Sequence, residues 1–294
     1  MAERDERCMV IDCHTHIFPP PICQDRAPYL AADPAFRMLY SSPRARIIEA
    51  DALIDEMDRS GVDRAVAMGF PWSDPDLVRR HNDYVGEAAD RWGGRLLPFV
   101  CVDPRASAAA NEVERCLAAG MRGVGELAFY TDVLDEWLME ALDPIASNCQ
   151  ARQVPIMLHA NEPVGHDYPG KADVPAGGLY RLIRSFPENR FILAHWGGGL
   201  LFYELLKREA REVLGRVAYD TAASPFLYDP TVYAVAVRIV GARRILFGSD
   251  FPLISPKRYF EEMASAGLGS EDIAWIRGRA AFEWLGLGTA ALTG

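Results

Sequence analysis

An apolar run, Val10-Ile11-Asp12-Cys13, leads directly into His14-Thr15-His16, two histidines one residue apart. Side chains alternate along a strand, so His14 and His16 point the same way, toward a barrel axis if that face is inward. Two imidazoles converging from one strand suit a metal ion, although an isolated pair is more often a packing feature. Three more residues occupy matching places. His159 closes Pro155-Ile156-Met157-Leu158-His159, His195 closes Phe191-Ile192-Leu193-Ala194-His195, and Asp250 follows Ile245-Leu246-Phe247-Gly248-Ser249. Four of the six histidines thus end apolar runs. A satisfied core histidine explains any one of them; four with an aspartate point to a shared site.

The elements that must position these residues follow from periodicity. Short apolar runs recur between amphipathic stretches, the alternation of βα units on a parallel sheet. Strands are expected near Met9–Cys13, Arg64–Met68, Leu96–Val100, Gly123–Leu127, Pro155–His159, Phe191–His195, Val217–Asp220 and Arg244–Phe247. Helices are expected near Ile47–Ser60, Asp76–Trp92, Asn111–Ala119, Glu136–Arg152, Leu179–Phe186, Leu200–Leu214, Pro230–Val240 and Lys257–Ala266, with a last one near Ser270–Leu285 covering an end or the outside. Eight strand–helix units imply a TIM-type (β/α)8 barrel, whose strand C-termini converge on one catalytic mouth. No composition break or internal repeat divides residues 1–294, which are expected to form one domain. The proline-rich stretch from Ile17 to Arg46 reads as a long irregular loop over that mouth, a lid or specificity wall, or else a solvated excursion.

A net charge of −10 and a pI near 5.2 oppose a nucleic-acid partner, which needs a basic footprint. A small-molecule substrate is expected instead. The six cysteines are scattered without a CxxC pair and read as reduced thiols. Met1 to Arg7 lacks the apolar core of a signal peptide, and no apolar run is long enough to span a bilayer. A cytoplasmic protein without a membrane partner is therefore expected; a homo-oligomer is left open.

Taken in order, Ile11-Asp12-Cys13-His14-Thr15-His16, Leu158-His159-Ala160, Ala194-His195-Trp196-Gly197-Gly198-Gly199 and Phe247-Gly248-Ser249-Asp250-Phe251-Pro252 make the chain resemble the amidohydrolase-related family, in the branch of aminocarboxymuconate-semialdehyde decarboxylase. The resemblance runs nearly the whole length. It implies that His14, His16, His159 and Asp250 bind one divalent metal, zinc first and Mn2+ or another transition metal as alternatives, with His195 beside it as an acid/base or electrophilic partner and Asp250 taking a proton from metal-activated water. Glu126, on the expected fourth strand, resembles the bridging glutamate of the superfamily's metal-dependent deoxyribonuclease branch, which would allow a second ion; an ion pair with an arginine explains it equally.

Other residues carry less. Glu162, His166 and Tyr168 follow His159 in a loop that projects over the site, where they are either substrate contacts or exposed loop polarity, and Trp196 is a further substrate-lining candidate. Gly197, Gly198 and Gly199 either open a helix whose N–H groups face a carboxylate or serve close packing. Arg37, Arg44 and Arg46 could clamp a carboxylate; His81 is read as a surface residue. The leading activity is a metal-dependent hydrolase cutting a C–O or C–N bond of a small carboxylated substrate. The alternative is metal-dependent nonoxidative decarboxylation of an aromatic or dienoic acid.

Overall fold

The structure is a computed structural model that describes residues 9–129, 136–172 and 174–288. The Met1–Arg7 segment and Cys8 lie outside the described residues. Eight parallel strands pair in chain order: β1 (Ile11–His16), β2 (Arg64–Met68), β3 (Leu96–Val100), β4 (Gly123–Leu127), β5 (Ile156–Leu158), β6 (Phe191–Leu193), β7 (Val217–Asp220) and β8 (Ile245–Leu246). Backbone hydrogen bonds close the seam between β8 and β1. Cys13 N donates to Phe247 O at 2.7 Å, Asp250 N to His14 O at 2.9 Å, and His16 N to Phe251 O at 2.9 Å. The chain is thus the (β/α)8 barrel its alternating pattern predicts.

Local chemistry sets the helices. Leu53, Ile54 and Met57 give helix Ala50–Ser60 one buried face, and Gly61 ends it at φ 71°, a left-handed conformation that glycine adopts without a Cβ clash. The carboxylate of Asp74 accepts from the amides of Asp76 and Leu77 and so starts helix Pro75–Arg91. The Ile17–Arg46 stretch is not irregular throughout. It holds the short helices Pro20–Gln24, Ala27–Ala32 and Pro34–Tyr40, each with proline in its first turn, where the missing N–H has no intrahelical partner to lose. Prolines that read as loop signals are here helix starts.

Two apolar layers result from strand alternation. Ala65, Ala67, Ile156, Leu158, Phe191 and Leu193 face the surrounding helices, while Val66, Leu97, Phe99, Met157, Ile192, Ala218 and Leu246 fill the interior. The C-terminal segment Ser270–Trp284 covers the bottom end, as expected, by placing Ala280, Ala281 and Trp284 against that interior cluster. Gly278 makes the approach possible. A Cβ there would lie 1.7 Å from Met9 O. Among the described residues no helix is long and apolar enough to cross a membrane.

Candidate metal centre at the barrel mouth

Strict alternation would misplace the two residues nearest the axis. In β1, Asp12 pairs with Ala65 and Thr15 with Ala67, so β1 spends one residue more than β2 over the same interval. In β4, Val124 pairs with Ile156 and Leu127 with Leu158, again one residue in excess. These bulges let neighbouring residues share a face. Cys13 packs inward below while His14 also turns inward above it, and Gly125 leaves room for Glu126 to do the same. A Cβ on Gly125 would stand 2.7 Å from Met157 O.

The side chains meet closely. His14 Nε2 lies 3.1 Å from His16 Nε2, 3.7 Å from Asp250 Oδ1 and 3.7 Å from Glu126 Oε2; His16 Nε2 is 3.6 Å from the same Asp250 oxygen. Two groups of ligand atoms are compact enough for an ion, His14–His16–Asp250 and His14–Glu126–His195. They share His14, which makes them halves of one centre. His159 stands at the edge. Its Nδ1 donates to Glu126 Oε1 at 2.9 Å and its Nε2 faces Gly170 O at 3.1 Å, and it belongs to neither group. Glu126 pairs with His14, His159 and His195, and among the described residues with no arginine, so of the two readings weighed for it the arginine ion pair is not the one formed.

The electrostatics fit a cation. Burial opposes charge on His14, yet Asp220, Glu126 and Asp250 together raise its pKa to about 10. His195 behaves alike: burial opposes its charge, but its contact with Glu126 raises the pKa to about 9. Burial, then His14, lowers His16. Glu126 is held well below the usual carboxylate range by His159 and His14 despite its burial. Three carboxylates that keep protons on buried imidazoles form a site with surplus negative charge, which a divalent ion would neutralise by displacing those protons. The mixture of imidazole and carboxylate donors fits such an ion.

Asp250 has φ 57°, a left-handed conformation that aspartate tolerates better than most residues. Its position is fixed from below. Asp12 accepts from the Ser249 amide at 2.9 Å and from Ser249 Oγ at 2.5 Å, and burial raises its pKa to about 7 against those bonds.

Two participants escaped the sequence reading. Asp220 ends β7 fully buried, with Oδ2 2.8 Å from His14 Nδ1 and Oδ1 accepting from His195 N at 2.9 Å. The signal existed, since Asp220 ends an apolar run as Asp250 does. Tyr40, from the proline-rich stretch, is the other. Burial raises its phenol pKa, and the charges of Asp250 and then Glu126 raise it further, so its hydroxyl stands in the field of the centre.

Several candidates lie elsewhere. Trp196 is fully buried, its Nε1 donating to Ser224 Oγ at 3.0 Å, and is a core residue rather than a substrate wall. His166 is exposed, its ring near that of Tyr168. Tyr168 Oη donates to Glu162 Oε2 at 3.0 Å, and Lys171 Nζ lies 3.4 Å from Glu162 Oε1, so this trio braces its own loop. His195 to Gly199 all have positive φ, a left-handed turn and not the start of a right-handed helix; a Cβ on Gly198 would sit 2.1 Å from Asn161 O. Close packing is what those glycines allow. Arg37, Arg44 and Arg46 are all exposed, Arg46 lying over the ring of Phe251 at 5.3 Å, next in sequence to Asp250. His81 is not on the surface but buried. Trp72 Nε1 donates to its Nδ1 at 2.9 Å, its Nε2 donates to Ile17 O at 2.7 Å, and burial lowers its pKa to about 4, which makes it a neutral brace at the start of the Ile17–Arg46 stretch.

A family model described as Amidohydrolase matches residues 11–287. No curated protein matches the chain. Among solved structures, 5-carboxyvanillate decarboxylase from Novosphingobium aromaticivorans, complexed with manganese and 4-hydroxy-3-methoxy-5-nitrobenzoic acid, superposes with a TM-score of 0.76 at 18% identity, covering 96% of this chain and 97% of that one. Dihydroxybenzoic acid decarboxylase from Polaromonas sp., with manganese and 2-nitroresorcinol, gives 0.70 at 19% identity over 97% and 99%. A probable 2-pyrone-4,6-dicarboxylic acid hydrolase from Acinetobacter baumannii with citric acid bound gives 0.60 at 16% over 94% and 99%. At these identities the likeness establishes the architecture.

Proposed function

The chain belongs to the amidohydrolase family, and from that premise we propose that it is a metal-dependent nonoxidative decarboxylase of a hydroxylated aromatic acid. The observation that carries this is the joint one of a carboxylate-rich centre at the mouth and a whole-chain architecture shared with two decarboxylases of such acids. It favours decarboxylation over the hydrolysis that the motifs alone suggest. His14, His16 and Asp250, with Glu126 and His159 adjoining, would hold a divalent ion; manganese, present in both of those neighbours, is the first to try, ahead of zinc. When bound, such an ion supplies positive charge that holds anionic oxygens of the substrate and offsets charge developing on them.

The protein's own groups then divide the work by exposure. Asp250 is 17% exposed, against 8% for Glu126 and 0% for Asp220, so Asp250 is the carboxyl able both to touch substrate and to exchange protons with solvent. In each turnover Asp250 takes a proton from solvent and passes it from Oδ to the ring carbon that bears the carboxylate, ending again as a carboxylate. The C–CO2 bond then breaks, its electron pair returns to the ring, and carbon dioxide leaves. His195, fixed through Nδ1 to Ala222 O at 3.0 Å, turns Nε2 toward Glu126 and the mouth, where it can donate to a substrate oxygen.

A panel of hydroxylated benzoates incubated with manganese-loaded protein in D2O tests this. Equimolar carbon dioxide, with one deuterium at the vacated ring position, is the expected result. No carbon dioxide from any benzoate, together with opening of a lactone dicarboxylate in H2 18O that leaves one 18O in its new carboxyl group, would overturn it in favour of hydrolysis.

A further inference from the structure

Asp220 lies behind the centre, and its three partners constrain one another. Oδ1 accepts from the backbone amides of His195 at 2.9 Å and Ala222 at 3.0 Å. Backbone amides can only donate, so Oδ1 must remain an acceptor and the carboxyl group cannot turn over. That leaves Oδ2 facing His14 Nδ1 at 2.8 Å, both residues having no solvent exposure. A carboxylate accepts only, so the ring must present N–H at Nδ1. In the neutral ring, the form that binds an ion, the Nε2 lone pair is thereby directed at the cluster formed by His16, Asp250 and Glu126. Room for the pair comes from Gly248, where a Cβ would stand 2.8 Å from that of His14 and 3.4 Å from that of Asp220.

We propose that Asp220 is a positioning residue that fixes the His14 tautomer, keeping Nδ1 protonated so that Nε2 is the metal-facing donor, and that the same carboxylate pins the backbone of His195, tying the two imidazoles into one preset arrangement. This rests on the metal reading of the site. Carboxylate partners of ligating histidines act in this way in metal centres generally, setting ring orientation and basicity. What is particular here is the second oxygen, because its two amide donors remove the freedom that a solvent-facing carboxylate would have.

The discriminating substitution is Asp220→Asn, nearly identical in shape. Oδ1 must still serve two amide donors, so the new NH2 group takes the place of Oδ2 and confronts His14 Nδ1. Two donors cannot face each other. Nδ1 must lose its hydrogen and Nε2 must carry it, in the position a metal would occupy. Affinity for Mn2+ and Zn2+, measured by chelator competition, is expected to fall by about 100-fold, the upper end for a residue behind a ligand. In 15N-histidine-labelled metal-free protein, the His14 Nδ1 resonance is expected to move from the protonated to the unprotonated range. A merely structural role would lower the melting temperature without moving that resonance.

Should the variant not fold, Zn2+-loaded wild type carries the test: His14 must show a protonated Nδ1 and a zinc-bound Nε2. Coordination through Nδ1, or an Asp220→Asn protein with protonated Nδ1 and affinity within about 3-fold of wild type, would overturn the proposal. A wild type that binds neither ion sinks the metal reading instead, and the Nδ1 resonance of the metal-free pair then decides the tautomer on its own.

Discussion

The two ends of the barrel use the same eight strands in opposite ways. Toward the bottom, Ile11, Val66, Leu97, Ile192, Ala218 and Leu246 keep strict alternation and meet the plug of Ala280, Ala281 and Trp284. At the mouth, β1 and β4 each carry an extra residue, Asp250 and His195 stand at positive φ, and His14, Glu126, His159, His195 and Asp220 are buried beside the partly exposed His16 and Asp250. Buried charge is costly unless it is paired. The lower end therefore supplies the stability that lets the upper end hold strained backbone and closely packed buried charges in place. Predicted consequences separate cleanly: changes above should remove chemistry and spare the fold, and changes below should do the reverse.

The largest effect is expected from His14→Ala, which removes the donor common to both ligand groups. Metal content and turnover should be lost while far-ultraviolet circular dichroism stays native; global unfolding with metal retained would break the comparison. The wild type adds a pH test. Below its raised pKa of about 10, His14 holds protons that an ion must displace, so apparent metal affinity should climb as pH rises from 6 toward that value and level off above it. An affinity flat across that range would remove His14 from the centre.

Asp250→Asn should come next. It keeps size and polarity but cannot deliver a carboxylic proton, so single-turnover rates at saturating metal should drop by about 100- to 10,000-fold. A rate within a few-fold of wild type would pass the acid role to His195.

Much of this was legible in the chain. Period-two apolar runs and their helical spacers carried the barrel, and His14, His16, Glu126, His195 and Asp250 all fall at or beside strand C-termini as their runs suggest. The bulges were not legible, because one extra residue changes which face a side chain takes without changing composition. By plain alternation from Ile11 and Cys13, His14 would have pointed outward. His81 misled for another reason: flanked by Arg79 and Arg80 on an amphipathic helix, it looked solvated, and only the folded chain brings Trp72, from the connection after β2, and the Ile17 carbonyl, just past the end of β1, onto its ring. Trp196 misled through its motif, whose left-handed turn swings the indole into the core.

At the bottom, Trp284→Ala should lower stability by about 3–5 kcal/mol, the usual range for deleting a large buried aromatic side chain. Trp284 is 8% exposed, its Nε1 donates to Arg243 O at 3.1 Å, and Arg190 stacks on its ring at 4.7 Å. Denaturant melts should show the loss while metal stoichiometry and kcat below the transition remain unchanged. Weakened metal binding in the folded variant would mean that the two ends are coupled.

The smallest effect tests where the mouth ends. Tyr40 closes helix Pro34–Tyr40, and its ring is 4.8 Å from that of Phe36, 5.3 Å from Phe18 and 6.1 Å from Phe70, so aromatic packing sets its direction. The hydroxyl donates to no described residue, although it stands in the field of Asp250 and Glu126. A phenol so placed is available to donate to an anionic oxygen of the substrate. Tyr40→Phe keeps the packing and removes that one hydrogen bond, worth about 0.5–1.5 kcal/mol net, so KM should rise by about 2- to 12-fold. The contact would form in ground state and transition state alike, so kcat should hardly move. Steady-state kinetics on the identified acid gives both quantities. An unchanged KM would place Tyr40 in the packing of the proline-rich segment alone, whereas a fall in kcat rivalling that of Asp250→Asn would bring the hydroxyl into the proton transfer itself and extend the reactive end of the barrel into that segment.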